Sequence, residues 1–219
     1  MHVVSTNTGK TTSYEFQGAI VRSSMRRSPT LGELRIRFDH VEGDKFAVPK
    51  IHGIKEAVVY AFSASTFKAF TEMYDQVVEA GNVGENLTID SLDESQFIIG
   101  DEYEVGTSRL RVSGPRYPCN RLNFCFQRAD AMDLFAKHRR PGVYFEVLRE
   151  GDVSRGDELK LISEAASGLS VLELFDHLTA LKDFTSGRRS REDVREIARS
   201  VARNKFVPEF FRARFQKML

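Results

Sequence analysis

Cysteine is scarce: the 219 residues contain two, Cys119 and Cys125. That excludes a disulfide framework, a four-cysteine zinc site and an ordinary four-cysteine iron–sulfur cluster. The pair also lacks CxxC spacing, so no redox dithiol is read from it. Neither sign of charge is in excess, since 32 Lys and Arg stand against 31 Asp and Glu. Bulk electrostatics therefore predicts neither a nucleic-acid nor a membrane partner. No apolar run approaches the ~20 residues that span a bilayer. Met1–Lys10 is polar and lacks the apolar core of a signal peptide, so the expected compartment is the cytoplasm. There is no internal repeat, no low-complexity segment and no flavin or nicotinamide fingerprint.

What is present suits a globular protein with a sizeable core: 41% of residues are hydrophobic and 29% charged. The first two-thirds reads mainly as strands. Glu33–Phe38 alternates with Leu34, Ile36 and Phe38 on one face, and Ala57–Phe62 is a near-continuous apolar run. Phe97–Ile99, Glu102–Val105, Arg109–Val112, Val143–Arg149 and Glu158–Ile162 follow, punctuated by Gly-Asp pairs. Short strands at close spacing suggest a barrel or sandwich. Helical spacing predicts Thr66–Ala80, stopped by Gly81, and Asp130–His138.

After about Ser163 the character changes. Ser170 and Glu173 form a capping-box pattern, Ser190 caps a second helix, and Pro208 opens a third. The expected organisation is a β domain over 1–162 and a three-helix domain over 163–219. The tail is mildly basic, with 11 Lys and Arg against 8 Asp and Glu. Its densest cluster, Gly187–Arg191, reads as a solvated helix start rather than a nucleic-acid face.

Three stretches hold residues fit for chemistry. In Ser113–Cys119, two prolines restrict the backbone ahead of a cysteine, and Arg116 and Arg121 flank it. Nearby guanidinium charge favours a thiolate, the form that binds metal or attacks; the alternative is a buried cysteine acting as a small hydrophobe. Gly84-Glu85-Asn86-Leu87 offers backbone N–H groups and side-chain hydrogen bonds to a polar ligand, or else is a tight strand entry. Gly43-Asp44 followed by Lys50–Lys55 places His52 and Lys55 where they could meet an anion, or merely in a loop. Cys125 lies in the apolar run Leu122–Phe126 and reads as core.

Taken in order, these stretches resemble the MOSC domain family, named for molybdenum-cofactor sulfurase C-termini. The order is Gly-Asp and His-Gly, then Gly84–Leu87, then Gly100-Asp101, then Pro115-Arg116-x-Pro118-Cys119. Gly142-Val143-Tyr144 and the Gly151–Asp157 turns extend the likeness over about residues 15–162. The helical tail resembles the C-terminal extension of the YiiM-like branch. One departure is clear: relatives often read His-Gly-Gly, and here Ile54 replaces the second glycine.

The resemblance implies an α+β fold built on a mostly antiparallel β-barrel with flanking helices and a three-helix appendage. It implies a molybdopterin-type molybdenum cofactor with Cys119 as the metal ligand and catalytic residue. The cofactor-binding residues would be His52, Gly53, Lys55, Gly84, Glu85, Asn86 and Arg116. The implied reaction reduces small N-hydroxylated compounds, such as hydroxylamino-purines, to amines. Electrons would come from an external donor protein, since the chain shows no reductase module. Two alternatives stay open: a sulfur carrier using a Cys119 persulfide, and a non-catalytic protein that stores or delivers the cofactor.

Overall fold

The computed structural model describes residues 1–45 and 54–219. Its frame is an eight-stranded mixed sheet. Seven of its strands are β1 (Val3–Thr8), β4 (Ser28–Pro29), β6 (Val59–Ser63), β7 (Leu87–Ile89), β8 (Glu102–Val105), β9 (Ser108–Pro115) and β10 (Val143–Arg149). The eighth is β12 (Lys160–Ser163). The order is β12-β8-β9-β10-β6-β7-β1-β4, and all neighbours are antiparallel except β6 and β7. Two small pairs complete the strands: β2 (Thr12–Phe16) with β3 (Ala19–Ser23), and β5 (Leu34–Ile36) with β11 (Gly151–Val153).

No continuous ladder closes this sheet into a barrel among the described residues. Its ends do approach: Val3 N–H donates to Asp157 O, Leu159 N–H donates to Met1 O, and His2 bridges Glu158 just before β12.

Strand β6 shows how the sequence builds the core. All five of its residues are buried, so its side chains alternate between two apolar clusters. Val59 and Ala61 join Leu110, Val112, Val143 and Phe145 on one side. Tyr60 and Phe62 join Phe70, Tyr74, Phe126 and Phe135 on the other. The second cluster is supplied by α1 (Phe67–Tyr74), α2 (Arg121–Cys125) and α3 (Ala131–His138). Cys125 is only 3% exposed and belongs to it, as the apolar run around it predicts.

The three C-terminal helices are α4 (Val171–Thr185), α5 (Arg191–Arg203) and α6 (Glu209–Gln216). Ser170 and Ser190 each close a full capping box, with Glu173 and Asp193 as the reciprocal partners. The helices do not form a core of their own. Leu174, Leu178, Ala198, Val201, Phe211 and Phe215 join the same cluster as Val59 and Phe145.

Three sequence expectations are corrected. Helix α1 ends at Tyr74, well short of Gly81, because Asp75 takes the left-handed C-cap conformation (φ 54°). The Thr71 hydroxyl then accepts from Val78 N–H at 2.9 Å, which leaves Val77 exposed. Phe38 leaves the buried face of β5, since Arg37 N–H donates to His40 O and turns the chain there. Phe97 and Ile99 are buried, but their segment forms no sheet strand and instead bridges the entry to α4, through Val171 N–H to Phe97 O and Ile99 N–H to Leu169 O. It therefore ties the helical tail to the sheet.

Candidate active site

Strand β9 runs into Pro115-Arg116-Tyr117-Pro118-Cys119, and α2 begins two residues later. The loop is pinned at its far end by Leu122 N–H donating to Cys119 O at 3.0 Å. Cys119 is half-buried and lines a cavity of about 280 Å³. The walls come from six places: the end of β3 with Met25 and Arg27 beyond it, Ile54, Glu56, Ala57 and Tyr60 at the entry to β6, Gly84 with Asn86, the cysteine loop with Arg121, Tyr144 of β10, and Phe210, Phe211 and Arg214 of α6.

Positive charge dominates the lining. Arg27, Arg116, Arg121 and Arg214 face one carboxylate, Glu56. Of the four arginines, Arg27 alone is ion-paired among the described residues, to Asp44 at 2.5 Å. Arg116 is 7% exposed, and its guanidinium donates to Val83 O and meets Met25 Sδ at 2.8 Å. It also lies over the rings of Tyr60 and Phe135, at 5.4 and 5.6 Å from their centroids. Burial works against its charge, but Tyr60, Tyr144 and Cys119 outweigh that and hold its pKa above the ordinary arginine value. It is a fixed cation. The Nε of Arg121 is buried with no hydrogen-bond partner, an unmet donor at the edge of the same cavity.

Gly84 is where two of these arginines converge. Its carbonyl accepts from Arg27 Nη1. Its φ is +92°, and a Cβ there would lie 3.0 Å from Met25 Cγ and 3.2 Å from Arg116 Nη1. Glycine is required for both its dihedral and its neighbours. Asn86 is 1% exposed. Its Oδ1 accepts from Tyr60 N–H at 3.2 Å, and its Nδ2 donates to Asp44 Oδ2 at 3.1 Å. Asn86 thus lines the cavity while clamping β6 to the Asp44–Arg27 pair.

Glu85 does not line the cavity. It is 0% exposed, and its Oε1 accepts from Gly81 N–H at 2.7 Å and from the Thr88 hydroxyl at 2.9 Å. Its Oε2 has no partner. Burial pushes its pKa up, against those hydrogen bonds and the charge of Arg27. A carboxyl whose folded pKa is raised binds its proton more tightly in the folded state. Stability from this group is therefore greatest at acid pH and falls as pH rises from the unfolded value of 4.5 through the folded one. Urea denaturation between pH 4.5 and 8 should show that decline, with a slope of at most about 1.4 kcal/mol per pH unit. Glu85→Gln should flatten it; an unchanged slope in the variant would assign the pH dependence elsewhere.

The other residues expected at the site are divided. Lys55 stands outside the cavity, its side chain 72% exposed and 3.9 Å from Glu146. His52 and Gly53 lie outside the described residues. Sequence reading missed Arg27, Tyr60, Tyr144, Phe210 and Arg214 as lining residues. Arg27 carried no motif, and Arg214 is one of many spaced arginines in the tail. Among the described residues, no group of three or more His, Cys, Asp or Glu side chains is placed to hold a metal ion. At Cys119 the chain offers one soft donor inside a cationic cavity rather than a chelating set.

Comparison with known proteins places the chain in a family. The MOSC domain model matches residues 48–160. The Bacillus subtilis protein YflK is 30% identical over 169 residues, covering 77% of this chain and 76% of that protein. Escherichia coli YiiM is 30% identical over 138 residues, 62% of each chain. A protein named reductase from Gibberella moniliformis is 29% identical over 127 residues, but these span 23% of its length. The crystal structure of YiiM from Geobacillus stearothermophilus superposes with a TM-score of 0.75 at 25% identity, covering all of this chain and 98% of that one. The chain belongs to the MOSC domain family and is similar to YiiM in both sequence and structure.

Proposed function

We propose that this protein is an oxidoreductase that holds a pterin-based molybdenum cofactor at Cys119 and reduces N-hydroxylated compounds to amines. The observation that carries the reading is the composition of one cavity: a half-buried cysteine among arginines, three of which have no carboxylate partner among the described residues. A phosphate-bearing dithiolene ligand fits such a lining. Its sulfurs would bind the metal to which the protein adds a single thiolate, and its phosphate would meet the unmatched guanidinium charge of Arg116 and Arg121. The orphaned Nε of Arg121, on a residue that lines the same cavity, is a buried donor that a ligand's anionic group would satisfy. The fungal relative named reductase adds support for redox chemistry.

When bound, the cofactor supplies two-electron oxygen-atom chemistry. Overall, the N–O bond of an N–OH group breaks, two electrons and two protons enter, and the amine and water leave. Cys119 would anchor the metal through Sγ. Arg116, fixed by Val83, Met25 and two aromatic rings, would hold the cofactor's anionic edge in one position. Gly84 and Asn86 would form the wall behind it, and His52 and Gly53 would contribute as the family resemblance implies. The electrons would come from a separate donor protein.

Metal-loaded protein given 6-hydroxylaminopurine and an artificial low-potential electron donor, without oxygen, is expected to form adenine catalytically. Failure by protein of proven metal content would overturn the reductase reading. Turnover with NADPH alone, adding no other protein or flavin, would remove the need for an external donor.

A further inference from the structure

Helix α6 places two unusual residues at the mouth of the cavity. Phe210 and Arg214 are one helical turn apart, and the Arg214 guanidinium carbon lies 4.6 Å from the Phe210 ring centroid. Phe210 is 39% exposed, a large aromatic surface left open on the lining of a site. Its neighbour Phe211 is buried against Gly114 of β9; a Cβ on Gly114 would come 2.5 Å from the Phe211 ring. That contact locks the helix to the strand carrying the cysteine loop, so the position of the rim is set by the same strand as Cys119. Arg212 on this helix is consumed by Glu209 at 2.6 Å, whereas Arg214 has no carboxylate partner among the described residues. Its pKa is held below the ordinary arginine value by partial burial, a cost that a bound anion would offset.

We propose that Phe210 and Arg214 form the substrate-selecting rim, and that it favours planar N-hydroxylated compounds bearing a phosphate or carboxylate over their uncharged parents. The ring offers a stacking face and the guanidinium a forked donor to an oxyanion. This rests on the reductase reading above, and its test is built to separate the two.

Metal-loaded protein is titrated calorimetrically with adenosine 5′-monophosphate and with adenosine, which resemble product and cannot be reduced. Wild type is expected to bind the phosphorylated compound about tenfold more tightly, the scale of one charge-assisted contact at a partly exposed position. Arg214→Ala should remove that preference and Arg214→Lys keep part of it. Phe210→Ala should weaken both ligands alike. The same variants are assayed with the N6-hydroxy forms, where the ratio of KM values should collapse towards one in Arg214→Ala. Melting temperatures check that each variant is folded. Equal affinities in wild type, or a preference that survives Arg214→Ala, would overturn the rim assignment. If the binding preference holds but neither N6-hydroxy compound is reduced, the rim stands and the reductase reading falls. If both are reduced with equal KM, the reductase reading stands and the rim falls.

Discussion

Cys119→Ala is expected to lose its metal and to reduce N-hydroxylated compounds at least about 10³-fold more slowly, a loss of about 4 kcal/mol in transition-state stabilisation. The fold should barely change. Cys119 is half-buried in a loop, and its Sγ makes no hydrogen bond among the described residues. The stability cost should therefore stay within about 1 kcal/mol, as for other substitutions outside a packed core. Cys119→Ser is the sharper variant, because it keeps the volume and replaces a soft donor with a hard one. It should be metal-poor and inactive as well. A serine variant with wild-type metal content would mean that Cys119 is not the ligand.

Asp44→Ala is expected to cost about 3–5 kcal/mol, the usual penalty for breaking a buried ion pair from one side. The Asp44 side chain is fully buried and accepts from Gly9 N–H at 2.8 Å, Asn86 Nδ2 at 3.1 Å, and Arg27. Removing it leaves the Arg27 charge uncompensated, with 10% of that side chain exposed. It also frees Asn86, which holds Tyr60 of β6. In a chain of this size the melting temperature should fall by roughly 6–20 °C. Arg27→Met in the same background should restore part of the loss by removing the stranded charge. A decrease below about 1 kcal/mol for Asp44→Ala alone would mean that water reaches the pair.

The parts of this molecule that follow from local rules are legible from the chain. Both helix starts at Ser170 and Ser190 depend on a side chain bonding three residues away, so the pattern and the structure coincide. Strand β10 coincides residue for residue with its alternating pattern, Val143–Arg149. The Pro-Arg-x-Pro-Cys loop is equally local, and it leads directly to Cys119. What is not legible depends on partners distant in sequence. Asp75 ends α1 by taking the left-handed conformation, and the Thr71 hydroxyl then accepts from Val78 N–H, a side-chain bond that periodicity does not report. Glu85 and Asn86 are adjacent in sequence, yet Asn86 lines the cavity while Glu85 is buried against Gly81 and Thr88. Arg27 meets Asp44 and Gly84 across 17 and 57 residues, and Arg214 comes from a helix that the motifs do not reach. The hairpin of β2 and β3 is not legible either, since its strands are largely exposed and its half-buried Tyr14 and Phe16 are covered by residues distant in sequence, Phe124 of α2 among them.

The central claim is a molybdenum site built on one cysteine, and the most direct measurement is metal content by elemental mass spectrometry. Wild type and Cys119→Ala would be expressed in a host that makes the pterin cofactor and in one that cannot. The account predicts near-stoichiometric molybdenum in wild type from the competent host alone, and none in the variant from either. Wild type without molybdenum, from a host shown to load another molybdenum protein, would contradict it. A cyanide-labile sulfur on Cys119 in that preparation would point to a persulfide carrier instead.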